Sequence, residues 1–93
     1  MLFVSLFSLK PGASPAQSLP RRMEWKPPEG VKQVAEYWLQ HNNPRIIAVF
    51  EADNIAPIMA VNMQWADLYD ITVVPAVTGE EGLKLAKQMM PKT

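Results

Sequence analysis

The chain has 93 residues, no cysteine, and nine Lys plus Arg against nine Asp plus Glu, for a formal net charge of zero. That length has room for one hydrophobic core, so residues 1–93 are expected to form one domain, and the neutral balance supplies no field for a polyanion or an anionic membrane. Without cysteine there is no disulfide, thiolate nucleophile, zinc–thiolate cluster or cysteine-ligated iron–sulfur centre, and a cytoplasmic location is the expectation.

The run from Met1 to Leu9 is apolar on both alternating faces. It lacks a basic leader and ends at Lys10-Pro11-Gly12 rather than at a small-residue cleavage site, so it reads as a buried strand and not as a secretory signal. Ser14-Pro15-Ala16-Gln17 then has capping-box spacing, with Pro15 at the first helical position. Pro20 complicates this helix by removing the backbone bond to Ala16. Two forms are open: a kinked helix, or one irregular turn followed by a regular stretch from Pro20 to about Trp25. Val31 to Gln40 and Arg45 to Ala52, around the turn residues His41-Asn42-Asn43-Pro44, read as a β-hairpin. A turn centred between Asn42 and Asn43 sets Glu36 opposite Val49, Trp38 opposite Ile47 and Val34 opposite Glu51 on one face.

Asp53 or Asn54 can cap a second helix that carries Ile58, Val61, Trp65 and Leu68 on one stripe. Ile71 to Val77 is a β-branched strand whose Pro75 suits an edge or a bulge. Thr78-Gly79-Glu80-Glu81 is another capping box, opening a helix to about Met90 that Pro91 stops. No stretch approaches the length of apolar sequence needed to cross a bilayer.

The order is thus βαββαβα. With right-handed crossovers it gives a ferredoxin-like α+β fold, a four-stranded antiparallel sheet in the order 4-1-3-2 with two helices on one face and a C-terminal helix besides. Strands one and three are apolar on both faces, as central strands should be. Two helices cover only one side, so the sequence predicts a homodimer joined through the helix-free face, with Phe3 or Phe7 as candidates to point there. A C-terminal helix folded back over its own sheet is the competing cover.

Several segments together resemble a family. Leu2 to Lys10 followed by Pro11-Gly12, Gly30-Val31, Glu51-Ala52-Asp53, Trp65-Ala66-Asp67-Leu68 and Val73-Val74-Pro75-Ala76-Val77-Thr78 are similar to an uncharacterised domain-of-unknown-function family of small proteins. That family is related to the dimeric α+β barrel superfamily. The resemblance implies a ferredoxin-like protomer and face-to-face sheet pairing, and it implies no activity.

No metal site is expected: His41 is the single histidine and sits in a polar turn, which excludes a histidine pair. Glu51 and Asp53 could approach a hard cation, but a strand-end carboxylate beside a helix cap accounts for them as well. Glu36, Trp38 and Glu51 share the predicted hairpin face and are the candidate ligand-binding residues. An acid beside an indole can be a desolvated carboxylate with a raised pKa. The same residues also read as a solvated edge with an interface tryptophan, and the expected cavity lies on the helix-free face near Trp38 and Glu36. Trp25, Trp65 and Tyr69 could stack a ligand or fill the core. Arg21-Arg22 could clamp an anion or form a solvated face. Met59, Met63, Met89 and Met90 could form an adaptable surface or pack a core.

No phosphate-binding loop, dinucleotide fingerprint or nucleophile elbow occurs, and no pattern identifies a cofactor. RNA binding, which the same strand order also serves, fails on neutral charge and on the missing aromatic strand motif. Two functions remain. One is a small dimeric module that binds a small apolar or amphipathic molecule or acts as a subunit. The other is a cofactor-free or haem-dependent enzyme of the monooxygenase-like kind known in the wider superfamily, which is analogy alone.

Overall fold

A computed structural model describes residues 1–91. Its elements follow the predicted order: β1 (Leu2–Leu9), α1 (Pro15–Glu24), β2 (Val31–Trp38), β3 (Ile46–Ala52), α2 (Ala56–Trp65), β4 (Tyr69–Ala76) and α3 (Gly79–Met89). The sheet is four-stranded and antiparallel with the order β2-β3-β1-β4, a ferredoxin-like α+β arrangement. β4 is an edge strand, so Pro75 needs no partner for the amide hydrogen it lacks.

Local chemistry places the helix ends. At α1 the Ser14 amide donates to Gln17 Oε1 at 2.7 Å, and Pro15 opens the helix. Pro20 lies within one assigned helix from Pro15 to Glu24, so the form with regular structure only after Pro20 does not occur. Asn54 Oδ1 accepts from the Ala56 amide at 2.9 Å ahead of α2, and Thr78 Oγ1 accepts from Glu81 at 3.1 Å to cap α3. Gly30 has φ +89, in the left-handed region, and a Cβ built there would stand 3.1 Å from Pro57 Cγ. Only glycine lets the chain turn into β2 this close to the first turn of α2.

The hairpin register differs from the sequence expectation. Glu36 stands opposite Ala48, Tyr37 opposite Ile47 and Trp38 opposite Ile46, with an irregularity between Gln33 and Ala35. Five residues, 40–44, separate the Leu39–Arg45 backbone pair, where the Leu39 amide donates to the Arg45 carbonyl at 2.7 Å. An odd loop moves the pairing by one residue, and a one-residue shift carries side chains to the other face of the sheet.

Rows across the sheet now define its two sides. Toward the helices run Trp38–Ile46–Phe7–Ile71 and Glu36–Ala48–Ser5–Val73, with Phe50 and Phe3 in the next row. Phe3, Phe7, Ala48 and Phe50 are buried there with Ile58, Val61 and Trp65 of α2, and with Leu68 and Tyr69. Neither Phe3 nor Phe7 points to the free face. That face holds Tyr37–Ile47–Leu6–Thr72 and Ala35–Val49–Val4–Val74, of which Tyr37 is 61% and Val74 44% exposed.

α3 does not cover it. No residue of this helix is buried, and the molecule measures 56 × 29 × 16 Å, about twice the span of an eight-residue strand. Met59, Met63, Met89 and Met90 are all exposed, so the methionines do not fill a core. No helix among the described residues is long and apolar enough to cross a membrane.

Candidate functional site

A cavity of about 270 Å³ lies between α1 and the helix-facing side of β2 and β3. Its aromatic walls come from distant parts of the chain: Phe7 on β1, Trp25 just after α1, Trp38 on β2, Phe50 on β3, and Trp65 and Tyr69 around the end of α2. Several of these rings meet edge to face, Trp25 with Trp65 at 6.4 Å, Trp65 with Tyr69 at 6.2 Å and Phe7 with Tyr69 at 5.7 Å between centroids. Edge-to-face packing is a favourable ring arrangement, and it leaves faces and edges turned toward a shared space. Trp65 and Tyr69 are therefore both core residues and cavity wall.

The polar side of the cavity is built on Glu36. Once the register has turned it toward the helices, its side chain is 14% exposed and would be a costly buried charge on its own. Arg22 of α1 supplies the counter-ion: its Nε donates to both carboxylate oxygens at 3.1 Å and its Nη2 to Oε1 at 2.6 Å. The Gln33 amide and the Trp38 indole N–H also donate to the same carboxylate. Burial alone pushes the Glu36 carboxyl up, but the hydrogen bonds from Arg22, Trp38 and Gln33 outweigh it and hold the group below its ordinary value. The raised pKa anticipated for an acid beside an indole is thus reversed.

Parallel contacts fasten α1 as the roof of the cavity. Arg21 donates to both oxygens of Asp67, at 2.8 and 2.9 Å, and to the Gln64 carbonyl at 2.9 Å, while its guanidinium lies 5.1 Å from the Trp65 ring. That fork holds the Asp67 carboxyl below its usual range. The Trp25 indole donates to Gln64 Oε1 at 2.6 Å, and the Tyr69 hydroxyl donates to Ser18 Oγ at 2.9 Å. The Arg21-Arg22 pair is therefore not a free anion clamp, since each arginine grips a carboxylate of this chain, Arg21 with Asp67 on the exposed face and Arg22, half-buried, with Glu36.

The three candidate residues divide. Glu36 and Trp38 meet at the cavity, on the helix side of the sheet and not on the free side where the sequence put them. Glu51 stands on the opposite face, exposed beside Leu2 in a shallow groove near the start of α3, and takes no part in this site. Asp53 is exposed too, and no cluster of three or more His, Asp and Glu positioned for a metal occurs among the described residues. His41 is exposed in the hairpin loop, where Nδ1 accepts from the Asn43 amide at 3.1 Å. Sequence reasoning missed Arg22 as the partner of Glu36 and Arg45 as a lining residue. The missing signal was the register, since a two-residue hairpin turn sends Glu36 to the wrong side.

Among known proteins, a family model for a domain of unknown function, DUF3303, matches residues 1–90, and the chain belongs to that family. Neither the curated proteins nor the solved structures produced a match.

Proposed function

We propose that this member of the DUF3303 family is a small-molecule-binding module, working as a homodimer, whose ligand occupies the cavity between α1 and the sheet. One observation carries the reading: a chain of 93 residues keeps a partly open, aromatic-walled cleft of about 270 Å³ between α1 and its sheet. A domain this small has little buried surface to spare, and an apolar cleft between helix and sheet leaves some of it unpacked. A pocket lined by aromatic rings with a few converging polar groups has the character of a ligand site. Trp38 and Glu36 form part of its wall, as binding residues.

A binding role fits the polar chemistry better than acid–base catalysis does. A general acid near neutral pH needs a raised carboxyl pKa, and Glu36 has a depressed one with its oxygens already engaged by three side chains. The dimer rests on the apolar rows of the free face and on the relationship to dimeric α+β barrels that the family resemblance implies.

Filling the cavity tests the binding role. The neutral dye N-phenyl-1-naphthylamine should bind saturably with enhanced emission, and Ala48→Leu, which extends a buried wall residue into the space, should weaken that binding about tenfold or more while unfolding stays cooperative. Unchanged dye affinity in a folded Ala48→Leu protein would overturn the assignment of this cavity.

A further inference from the structure

The cavity's charge points to the class of its ligand. Three charged residues line it: Arg22, Glu36 and Arg45. Arg22 and Glu36 neutralise each other at 2.6 Å, so the lining carries one net positive charge, that of Arg45. Among the described residues no carboxylate lies within 4 Å of the Arg45 guanidinium, and its side-chain hydrogen bond is a long one, 3.4 Å from Nη1 to Asn42 Oδ1. Arg45 is half-buried where the hairpin loop enters β3, its backbone N–H donating a hydrogen bond to the Phe7 carbonyl at 2.7 Å. Arg45 lines the aromatic pocket, and a guanidinium with no carboxylate of its own offers a planar fork of donors whose geometry matches a carboxylate.

Resting on the binding role proposed above, we infer that the ligand is a small aromatic monocarboxylate, its ring among Trp25, Trp65 and Tyr69 and its carboxylate on Arg45. A cationic ligand would meet Arg45 with no acid to answer it, because the Glu36 carboxylate already receives Arg22, Gln33 and Trp38. A dianion would leave one charge desolvated without a partner. Size sets a further bound: about 270 Å³ falls just under the range of drug-sized pockets, so the ligand is a small one.

Three probes of nearly one shape test this on the full chain: 2-naphthoate, neutral 2-naphthamide and cationic 2-naphthylmethylammonium, titrated by amide and indole NMR shifts. Naphthoate should bind about tenfold or more tighter than the amide and move the Trp25 and Arg45 resonances, and the ammonium should bind weakest. Arg45→Gln should erase the preference of naphthoate over naphthamide, and Arg45→Lys, which keeps the charge but loses the planar fork, should retain only part of it. Naphthamide binding in the cavity as tightly as naphthoate, or Arg45→Gln keeping the full preference, would overturn the carboxylate assignment and leave the binding role standing. If none of the three moves a cavity resonance, the binding role itself falls, and the ligand class with it.

Discussion

At the scale of single residues, the energetics of the site turn on one carboxylate. Glu36 has its folded pKa held below the ordinary carboxyl value of 4.5, so its stabilising contribution is complete above the unfolded value and is lost as pH falls through the folded one. Stability should therefore be level near neutrality and decline below about pH 5. Glu36→Gln removes the counter-ion of a half-buried arginine and should cost about 1–3 kcal/mol at pH 7. The same substitution should shallow the acid decline without abolishing it, because Asp67 titrates in the same direction. Urea unfolding of both proteins at pH 7 and pH 4 checks this, and an equal loss of stability at the two pH values would contradict it. Little of this arrangement was legible beforehand. Arg22 and Glu36 are fourteen residues apart and Arg21 and Asp67 forty-six, distances at which no helical or strand spacing signals a pair.

At the scale of elements, sequence logic was reliable wherever a local pattern decides the outcome. Two helix starts follow from Ser14-Pro15 and Thr78, and Pro75 places β4 at the edge, whereas the N-cap of α2 is Ile55, with Asn54 supporting the turn one residue ahead of it. β2 is the exception. Val31, Val34, Ala35, Tyr37 and Trp38 put apolar groups on both alternating faces, so periodicity could not choose a side for Glu36. The choice was made by the five-residue loop and by the irregularity between Gln33 and Ala35, both of which depend on backbone geometry. The helix α3 illustrates the converse: its capping and extent could be read locally, while its lack of any buried side chain could not.

For the whole molecule, the radius of gyration of 15.7 Å exceeds the value of about 12 Å usual for a chain of this length. One sheet under one helical layer, with α3 standing off, makes a thin body whose free face offers Leu6, Val4, Ile47 and Val49 in adjacent rows. Pairing two such faces would bury several side chains at about 1.5–3 kcal/mol each, substantial beside the 5–15 kcal/mol that stabilises a typical domain. Leu6→Glu should accordingly shift the protein from dimer to monomer in sedimentation at micromolar concentration, while His41→Glu in the exposed loop should leave the dimer intact. A wild-type protein that sediments as a stable monomer would end the dimer reading. Deleting α3, which has no buried residue and lies off this face, should leave dimerisation carried by the sheet intact.

The roof of the cavity has a kinetic consequence. α1 has a single buried residue, Ser18, and is fastened mainly by polar clasps at Asp67, Glu36 and Gln64. A segment held by solvent-accessible hydrogen bonds opens at a small fraction of the global unfolding free energy. Amide protons of α1 should therefore exchange with deuterium well ahead of those in β1, β3 and α2, and added salt, which screens the exposed Arg21–Asp67 pair, should quicken their exchange further. Each such opening unroofs the aromatic chamber without unravelling the sheet, so passage into the site and local fluctuation of this one helix become the same event, and an occupant that spans α1 and β2 would be read directly as slowed exchange at Ser18 and Arg22.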